Sequence, residues 1–227
     1  MTEEHDGSQG EKALGRPVWL VTLAGIGFAC FTAWVSCAFF NVQLYAQSSL
    51  SPEALLDQAY LTSIISLIAT FALIFHYSQQ VERLLEKRSF VIATTALVSV
   101  STVLLAFSGI EGVLGTLCLV TGGILSGVSS ALMLQGWGRF FAHIANPYYA
   151  VFTSIVGYLL SMFINVPFTM FAPFVSVILA ALLPVASTVL FFAAQRANES
   201  LPPQRVTATK LFGEAAGKKG FLSRTLK

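Results

Sequence analysis

The chain contains six long apolar runs that hold no Asp, Glu, Lys or Arg. The runs cover residues 18–40, 60–78, 89–109, 113–134, 148–170 and 173–193. Each is at or near the roughly 20 residues that an α-helix needs to cross about 30 Å of hydrocarbon. The whole chain is 55% hydrophobic and 11% charged, whereas ordinary soluble domains are about 25% charged. The sequence therefore predicts an all-α, multi-pass membrane protein, a bundle of six transmembrane helices.

The basic residues are sorted between alternate loops of this six-span arrangement. All 13 Lys and Arg residues fall before span 1, between spans 2 and 3, between spans 4 and 5, or after span 6. The other three loops hold none. Because positive charge next to a span is retained on the cytoplasmic side, we expect both termini to be cytoplasmic. An odd number of spans would break this agreement.

Two polar segments flank the membrane domain. Residues 1–17 are polar without a hydrophobic period, which predicts a cytoplasmic N-terminal tail. Residues 18–193 form the predicted six-helix domain. Residues 194–227 hold seven basic residues and two Glu, which predicts a basic cytoplasmic C-terminal tail.

Three local signals refine this layout. Ser51 followed by Pro52 predicts the start of one or two helical turns in the first outer loop. The alternating charges of residues 79–88, at helical spacing, predict that span 2 continues out of the membrane as a charged helix. Pro184 lies in the middle of span 6 and predicts a kink there.

The fourth span holds the densest set of small residues. Gly123 and Gly127 form a G-x-x-x-G pattern. A second row at the same spacing consists of Gly122, Ser126 and Ser130. Such rows let two helix backbones approach closely in lipid, so we expect these five residues to be helix-packing positions. The rows fit packing within one chain, which we favour, and also a seam between two copies.

The spans offer little catalytic chemistry. Span 4 contains serines, but no later span contains a His. A membrane-embedded serine would therefore lack a general base. Metalloprotease, P-loop and dinucleotide-binding motifs are absent from the sequence. Cys30, Cys37 and Cys118 lie inside predicted spans, where they are better explained as small buried hydrophobes than as a disulfide framework. We expect no enzyme activity, no metal site and no cofactor.

Polar side chains inside the spans are the candidates for ligand binding. Trp34, Asn41 and Asn165 are the residues expected to line a cavity, and Asn165 is the only amide well inside a span. A buried amide must find a partner in hydrocarbon, so Asn165 either bonds a neighbouring helix, which we favour, or faces a ligand. No predicted span contains a carboxylate, so proton coupling through Asp or Glu is not expected.

The layout resembles the six-helix N-terminal half of the major facilitator superfamily. The long first outer loop, the charged loop between spans 2 and 3 and the glycine-rich fourth span carry the resemblance. The family's Gly-x-x-x-Asp signature between spans 2 and 3 and its basic residue inside span 4 are missing here. The resemblance implies a bundle like half of a major facilitator fold and, as one function, a half-size transporter working as a homodimer.

Short segments resemble more closely the membrane portion of LuxR-type bacterial transcriptional regulators. They are Phe-Thr-Ala-Trp at 31–34, Gly-Ile-Leu-Ser-Gly at 123–127 and Gly-Trp-Gly-Arg at 136–139. The resemblance implies a noncatalytic sensor domain in the bacterial inner membrane that responds to an unknown small molecule. Residues 194–227 hold no helix-turn-helix pattern, so we expect no direct nucleic-acid binding by this chain. The expected partners are the lipid bilayer and either a second copy of the chain or a separate second-half or regulator protein.

Overall fold

The computed structural model describes residues 18–45, 51–143 and 147–200. In these residues, six helices are long and apolar enough to cross a membrane, and no strand occurs. The structure thus confirms the predicted all-α, multi-pass membrane bundle. The predicted N-terminal tail, 1–17, and residues 201–227 of the predicted C-terminal tail lie outside the described residues.

The spanning helices run in alternating directions, with one short helix between the second and the third. They are α1 Val18–Phe40, α2 Pro52–His76, the short α3 Ser78–Leu85, α4 Arg88–Ala106, α5 Val113–His143, α6 Pro147–Asn165 and α7 Pro173–Glu199. Short 3₁₀ turns follow α1, α4 and α6 at Val42–Tyr45, Phe107–Gly109 and Val166–Thr169. We call the end of the bundle that holds these turns the far end. The opposite end, which carries α3 and Arg139, is the charged end.

Three helices are longer than the apolar runs that predicted them. α2 begins at Pro52, so the turns predicted after Ser51 are the first turns of the second spanning helix. The Ser51 hydroxyl accepts a hydrogen bond from the Ala54 amide (3.5 Å), as expected of a cap. α5 continues to His143 and α7 to Glu199. These extra turns contain polar residues and therefore lie outside the apolar runs. Helical hydrogen bonding of the backbone nevertheless continues through them.

A charged helix follows the second span, as predicted, but it is a separate helix and not a continuation of that span. α2 ends at His76, Tyr77 leaves helical geometry (φ −107°, ψ 30°), and α3 begins at Ser78. The break at Tyr77 separates the direction of α3 from that of α2. It allows Glu82 and Glu86 to meet Arg139 at the end of α5.

The spanning helices pack side by side in the order α2, α5, α4, α7, α1, α6. If α1 is exchanged with α5, α2 with α6 and α4 with α7, the same order of neighbours results, read from the other end. Since the two helices of each exchanged pair run in opposite directions, the order of the helices has the symmetry of two inverted three-helix repeats. α4 and α7 meet at the centre of the row, while α1 and α5 are the most buried of the spanning helices.

Glycine permits the close contacts at both ends of the row. A Cβ at Gly127 of α5 would lie 2.8 Å from Cβ of Ser66 in α2 and would collide with the Ser63 carbonyl oxygen. A Cβ at Gly157 of α6 would lie 3.0 Å from the Gly25 carbonyl oxygen of α1. The backbones in these pairs therefore touch without an intervening side chain, as in other close helix pairs in lipid.

The two small-residue rows of α5 face different neighbours. Gly123 and Gly127 contact α2, whereas Gly122 contacts α4. Ser126 and Ser130 are also buried. The G-x-x-x-G face is thus covered by α2 of the same chain, and it is not exposed as a seam for a second copy.

Polar side chains join α4 to α7 at the centre of the row. The Thr95 and Thr188 hydroxyls lie 2.6 Å apart, and the Ser99 hydroxyl donates to the Ala181 carbonyl oxygen (2.8 Å). Pro184 lies inside α7 within one turn of this second bond, in a stretch where proline removes a helical donor. Hydrogen bonds between helices add to packing where no water competes for the polar groups.

We expect Gly127→Leu to lower the thermal unfolding midpoint in detergent. The new side chain can enter the α2–α5 contact only by separating two backbones, and overpacking costs about 1–3 kcal/mol or more. Gly138→Leu is the matched control, because a Cβ at Gly138 meets no atom within 4 Å. Equal midpoints for the two variants would contradict the packing role of Gly127.

Candidate functional site

A cavity of about 210 Å³ lies at the charged end between α4, α5 and α7. Its apolar lining consists of Leu85, Val91, Leu132, Met133, Gly136, Trp137, Phe140 and Phe191. Its polar lining consists of Glu86, Thr94, Arg139, His143, Thr188, Gln195, Asn198 and Glu199. An apolar interior with a few polar groups is typical of small-molecule sites. The volume suits a compact molecule, since an apolar cavity of about 150 Å³ holds benzene.

Three aromatic rings form adjoining walls of this cavity. The ring centroids of Trp137 and Phe140 are 5.8 Å apart, those of Trp137 and Phe191 5.1 Å, and those of Phe140 and Phe191 5.9 Å. The corresponding ring planes meet at 87°, 77° and 63°. Nε1 of Trp137 donates to the Ser187 hydroxyl of α7 (3.2 Å), which fixes the indole. The edge-to-face contacts hold the rings at steep angles to one another.

Arg139 lies on the α5 side of the cavity rim and holds α3. Its Nη1 donates to the Glu82 carbonyl oxygen (2.9 Å), and its Nη2 donates to Oε1 of Glu86 (2.7 Å). The Glu82 carboxylate lies 3.8 Å from the same guanidinium. Because the Glu82 carbonyl belongs to the last turn of α3, the cation also meets the negative end of that helix. Arg139 thus ties the connection between α2 and α4 to the end of α5.

The α7 side of the rim carries the exposed side chains of Gln195 and Glu199. Among the described residues, the ion pairs involve Arg139 with Glu82 and Glu86, and none includes Glu199. Among Asp, Glu, Lys and Arg, the residues that line the cavity are one cation, Arg139, and two carboxylates, Glu86 and Glu199. The lining therefore carries one net negative charge.

A packed apolar cluster fills part of the far end of the bundle. Leu44, Tyr45, Leu55, Leu119 and Phe168 are each at most 5% exposed and pack together there. The Tyr45 hydroxyl lies 3.1 Å from the carbonyl oxygen of Ala38 and donates to it, and burial raises the pKa of Tyr45. The apolar cluster thus occupies the far end, and the cavity lies at the opposite, charged end.

The three residues predicted to line a cavity lie elsewhere. Trp34 is fully buried between helices, and its Nε1 donates to the Thr102 hydroxyl of α4 (2.8 Å). Asn41 follows α1 at the far end, where its carbonyl oxygen accepts a hydrogen bond from the Leu44 amide (3.4 Å). Neither residue lines the cavity at the charged end.

The Asn165 amide is used between helices. Its Oδ1 accepts a hydrogen bond from Sγ of Cys37 in α1 (2.8 Å), and its Nδ2 donates to the Ser161 carbonyl oxygen one turn earlier (2.9 Å). Of the two roles open to this amide, the structure places it in helix packing between α1 and α6.

Sequence reasoning missed the residues that line the cavity. Trp137, Phe140 and Arg139 follow the fourth apolar run, and Gln195 and Glu199 follow the sixth. One available signal was helical spacing beyond those runs. Residues four apart, such as Gln195 and Glu199, share a helix face. Apolar content alone could not reveal it.

We expect Asn165→Leu to lower the thermal unfolding midpoint in detergent. The change leaves the Cys37 thiol and the α1–α6 contact without their hydrogen bond, and such bonds contribute about 0.6 kcal/mol on average in membrane proteins. Met162→Leu, at an exposed position of the same helix, is the control. If the two midpoints were unchanged, the amide would have no role in holding α6.

Comparison of the chain with protein-family models, with curated proteins and with solved structures gave no match. The bundle itself identifies the chain as a multi-pass integral membrane protein. Its function is inferred from the cavity and from the contacts at its rim.

Proposed function

We propose that this membrane protein is a noncatalytic sensor that binds a small molecule in the cavity at its charged end. The observation that supports this most is a partly open cavity whose walls come from α3, α4, α5 and α7 of a single chain. Transporters built from repeats bind their substrate at the interface between those repeats near the middle of the bilayer. Here the cavity also lies between the two halves of the helix order, α4 on one side and α5 and α7 on the other, but at one end of the bundle instead of its middle, and its described lining comes from one chain.

Arg139 links the occupancy of the cavity to the rest of the protein. It lines the rim together with Glu86, and through Glu86 and the Glu82 carbonyl it holds α3. None of the residues of α3 is buried. Segments with few buried contacts open at low free energy, so α3 suits the role of an element that moves. A molecule that enters the cavity changes the surroundings of both partners and thereby the hold on α3.

The resemblance to the membrane portion of LuxR-type regulators gives this sensor a context. In our proposal the chain lies in a bacterial inner membrane with its charged end and both termini in the cytoplasm. The sorting of the basic residues supports that orientation. The chain does not bind nucleic acid itself, and a separate regulator protein is the partner that responds to α3.

A half-size transporter working as a homodimer is the second candidate. The two inverted three-helix repeats favour it, because many secondary transporters contain such repeats. In the described part of the chain, however, the carboxylates of the spanning helices lie only in terminal turns, at Glu53, Asp57 and Glu199. Carriers that couple transport to protons usually place ionisable groups deeper in the membrane.

The mass of the purified protein, corrected for bound lipid, and reporter fusions to both termini distinguish the two candidates. A monomer with both termini in the cytoplasm agrees with the sensor. A homodimer that accumulates a solute in proteoliposomes would contradict the sensor proposal and support the transporter.

We expect Gly136→Leu to abolish binding of the neutral probe benzyl alcohol. Gly136 lines the cavity and its missing Cβ has no atom within 4 Å, so leucine fills the cavity without displacing the backbone. Gly138→Leu makes the same change at another open position that does not line the cavity. Benzyl alcohol should raise the thermal unfolding midpoint of the wild type and of Gly138→Leu only. An equal response of all three proteins would place the effect of the probe outside the cavity.

We expect Arg139→Gln to speed hydrogen exchange of the α3 amides while exchange in the core of the bundle stays unchanged. Exposed ion pairs contribute about 0.2–1 kcal/mol, which corresponds to at most about fivefold in local opening. Arg83→Gln is the control, because Arg83 lies on α3 and is in none of the ion pairs of the described residues. If the α3 amides exchanged at the same rate in both variants, Arg139 would not be the residue that holds α3.

A further inference from the structure

Exposed apolar side chains on the flanking helices set the depth of α3 in the membrane. The side chain of Phe75 on α2 is 87% exposed and that of Ile92 on α4 is 56% exposed, and such side chains on spanning helices face hydrocarbon. With a rise of about 1.5 Å per residue, Phe75 lies about 5 Å from the start of α3, and Ile92 about 6 Å from the start of α4. The headgroup layer on each side of the hydrocarbon is about 5–8 Å thick. Because α3 joins α2 to α4, it lies at the level of the headgroups.

The two faces of α3 have different surroundings. Glu82 and Glu86 reach Arg139 of α5. Leu85 lines the cavity, so this face, the inward face, is turned to the bundle. Residues three and four apart share the opposite face, and all of them are exposed. This outward face consists of Gln80, Arg83, Leu84 and Lys87, the last of which directly follows the helical cap.

The outward face is positively charged and partly apolar. Arg83 and Lys87 take part in none of the ion pairs of the described residues, and Arg139 engages the two carboxylates of the inward face. Arg88, the exposed first residue of α4, adds a third cation next to them. Leu84 shares the face and is 37% exposed. Basic groups beside an exposed apolar side chain complement an anionic lipid surface.

We propose that the outward face of α3 binds the headgroups of anionic phospholipids. Arg83 and Lys87 donate hydrogen bonds to the phosphate oxygens, and Leu84 enters the layer between the headgroups and the hydrocarbon. An acidic protein in the aqueous phase could meet the same cations, but a lipid places its phosphate at the depth that α3 occupies. The inference goes beyond the proposed function and does not depend on a ligand in the cavity.

Lipid on the outward face and Arg139 on the inward face hold α3 from opposite sides. An α3 that loses its contact with Arg139 therefore stays at the membrane surface. Anionic lipid thus lets α3 separate from α5 without leaving the membrane.

Hydrogen exchange of the α3 amides in nanodiscs of two compositions tests the proposal. The full chain is placed in phosphatidylcholine alone or in an equal mixture of phosphatidylcholine and phosphatidylglycerol. We expect severalfold slower exchange of α3 in the mixture, because each Lys or Arg next to an anionic surface contributes about fivefold in affinity. An anionic surface also repels hydroxide, which slows exchange in general. The last turn of α7, at the same end of the bundle, measures that general effect, and equal slowing of α3 and this turn overturns the proposal.

Substitutions of the two cations test the groups that carry the inference. Arg83→Gln and Lys87→Gln should each reduce the difference between the two lipids at α3, and the double variant should abolish it. Exchange of α3 in phosphatidylcholine should stay as in the wild type. Arg196→Gln is the matched control, because it removes one exposed cation of the charged end that lies on α7. A lipid difference that persists in the double variant, or that Arg196→Gln reduces equally, overturns the assignment.

Salt and a soluble polyanion separate the lipid from other causes. In about 1 M salt, charges are screened over about 3 Å, so the lipid difference should shrink. A difference that salt leaves unchanged would come from lipid packing and would overturn the proposal. If polyglutamate slows α3 exchange in phosphatidylcholine as much as phosphatidylglycerol does, the outward face is a site for an acidic protein, and the lipid assignment is overturned.

Discussion

The close contact of α5 with α2 on one side and α4 on the other is the interaction on which the rest of the bundle depends. In lipid, association between helices comes from close packing and hydrogen bonds, because the surrounding chains are as apolar as the side chains. Gly123 and Gly127 bring the α2 backbone against α5, and Gly122 does the same for the α4 side chains. The position of α5 then decides where its last turns emerge. Those turns carry Trp137 and Arg139 to the cavity and its rim.

The symmetric order of the helices relates the cavity to a second place in the bundle. Side chains fill that second place. The cavity lies between α4, α5 and α7 at the charged end. The repeat operation carries this place to the space between α7, α1 and α4 at the far end. There Cys37, Leu105 and Ala180 from those helices pack with Leu44 and Tyr45 from the first 3₁₀ turn. Residues of the turn after α1 therefore fill the place that the helix order relates to the cavity, and the cavity itself lies at the charged end.

The parts of this structure that the sequence predicts follow from solvent preference. Runs without charge of sufficient length must cross the membrane as helices, so the six spans are readable without any knowledge of their neighbours. The break at Tyr77 and the partner of Asn165 are not readable in this way, since both depend on which helices become neighbours. The cavity was hidden for a further reason. Its lining residues come from α3, α4, α5 and α7 and are spread between Leu85 and Glu199, and its rim residues lie in turns outside the apolar runs.

The strengths of the contacts at the rim agree with a device that responds to a ligand. A ligand shifts an equilibrium between two positions of α3 only by the difference in its affinity for them. If α3 were held by buried packing worth several kcal/mol, the binding of one compact molecule could not displace it. α3 instead buries no residue and is held by the guanidinium of Arg139, whose partners Glu82 and Glu86 have half-exposed carboxylates. A contact of that kind contributes about 0.2–1 kcal/mol, whereas a tenfold difference in ligand affinity corresponds to about 1.4 kcal/mol. In the proposed sensor, a ligand whose affinity for the two positions of α3 differs tenfold would therefore be sufficient to change the hold of α5 on α3.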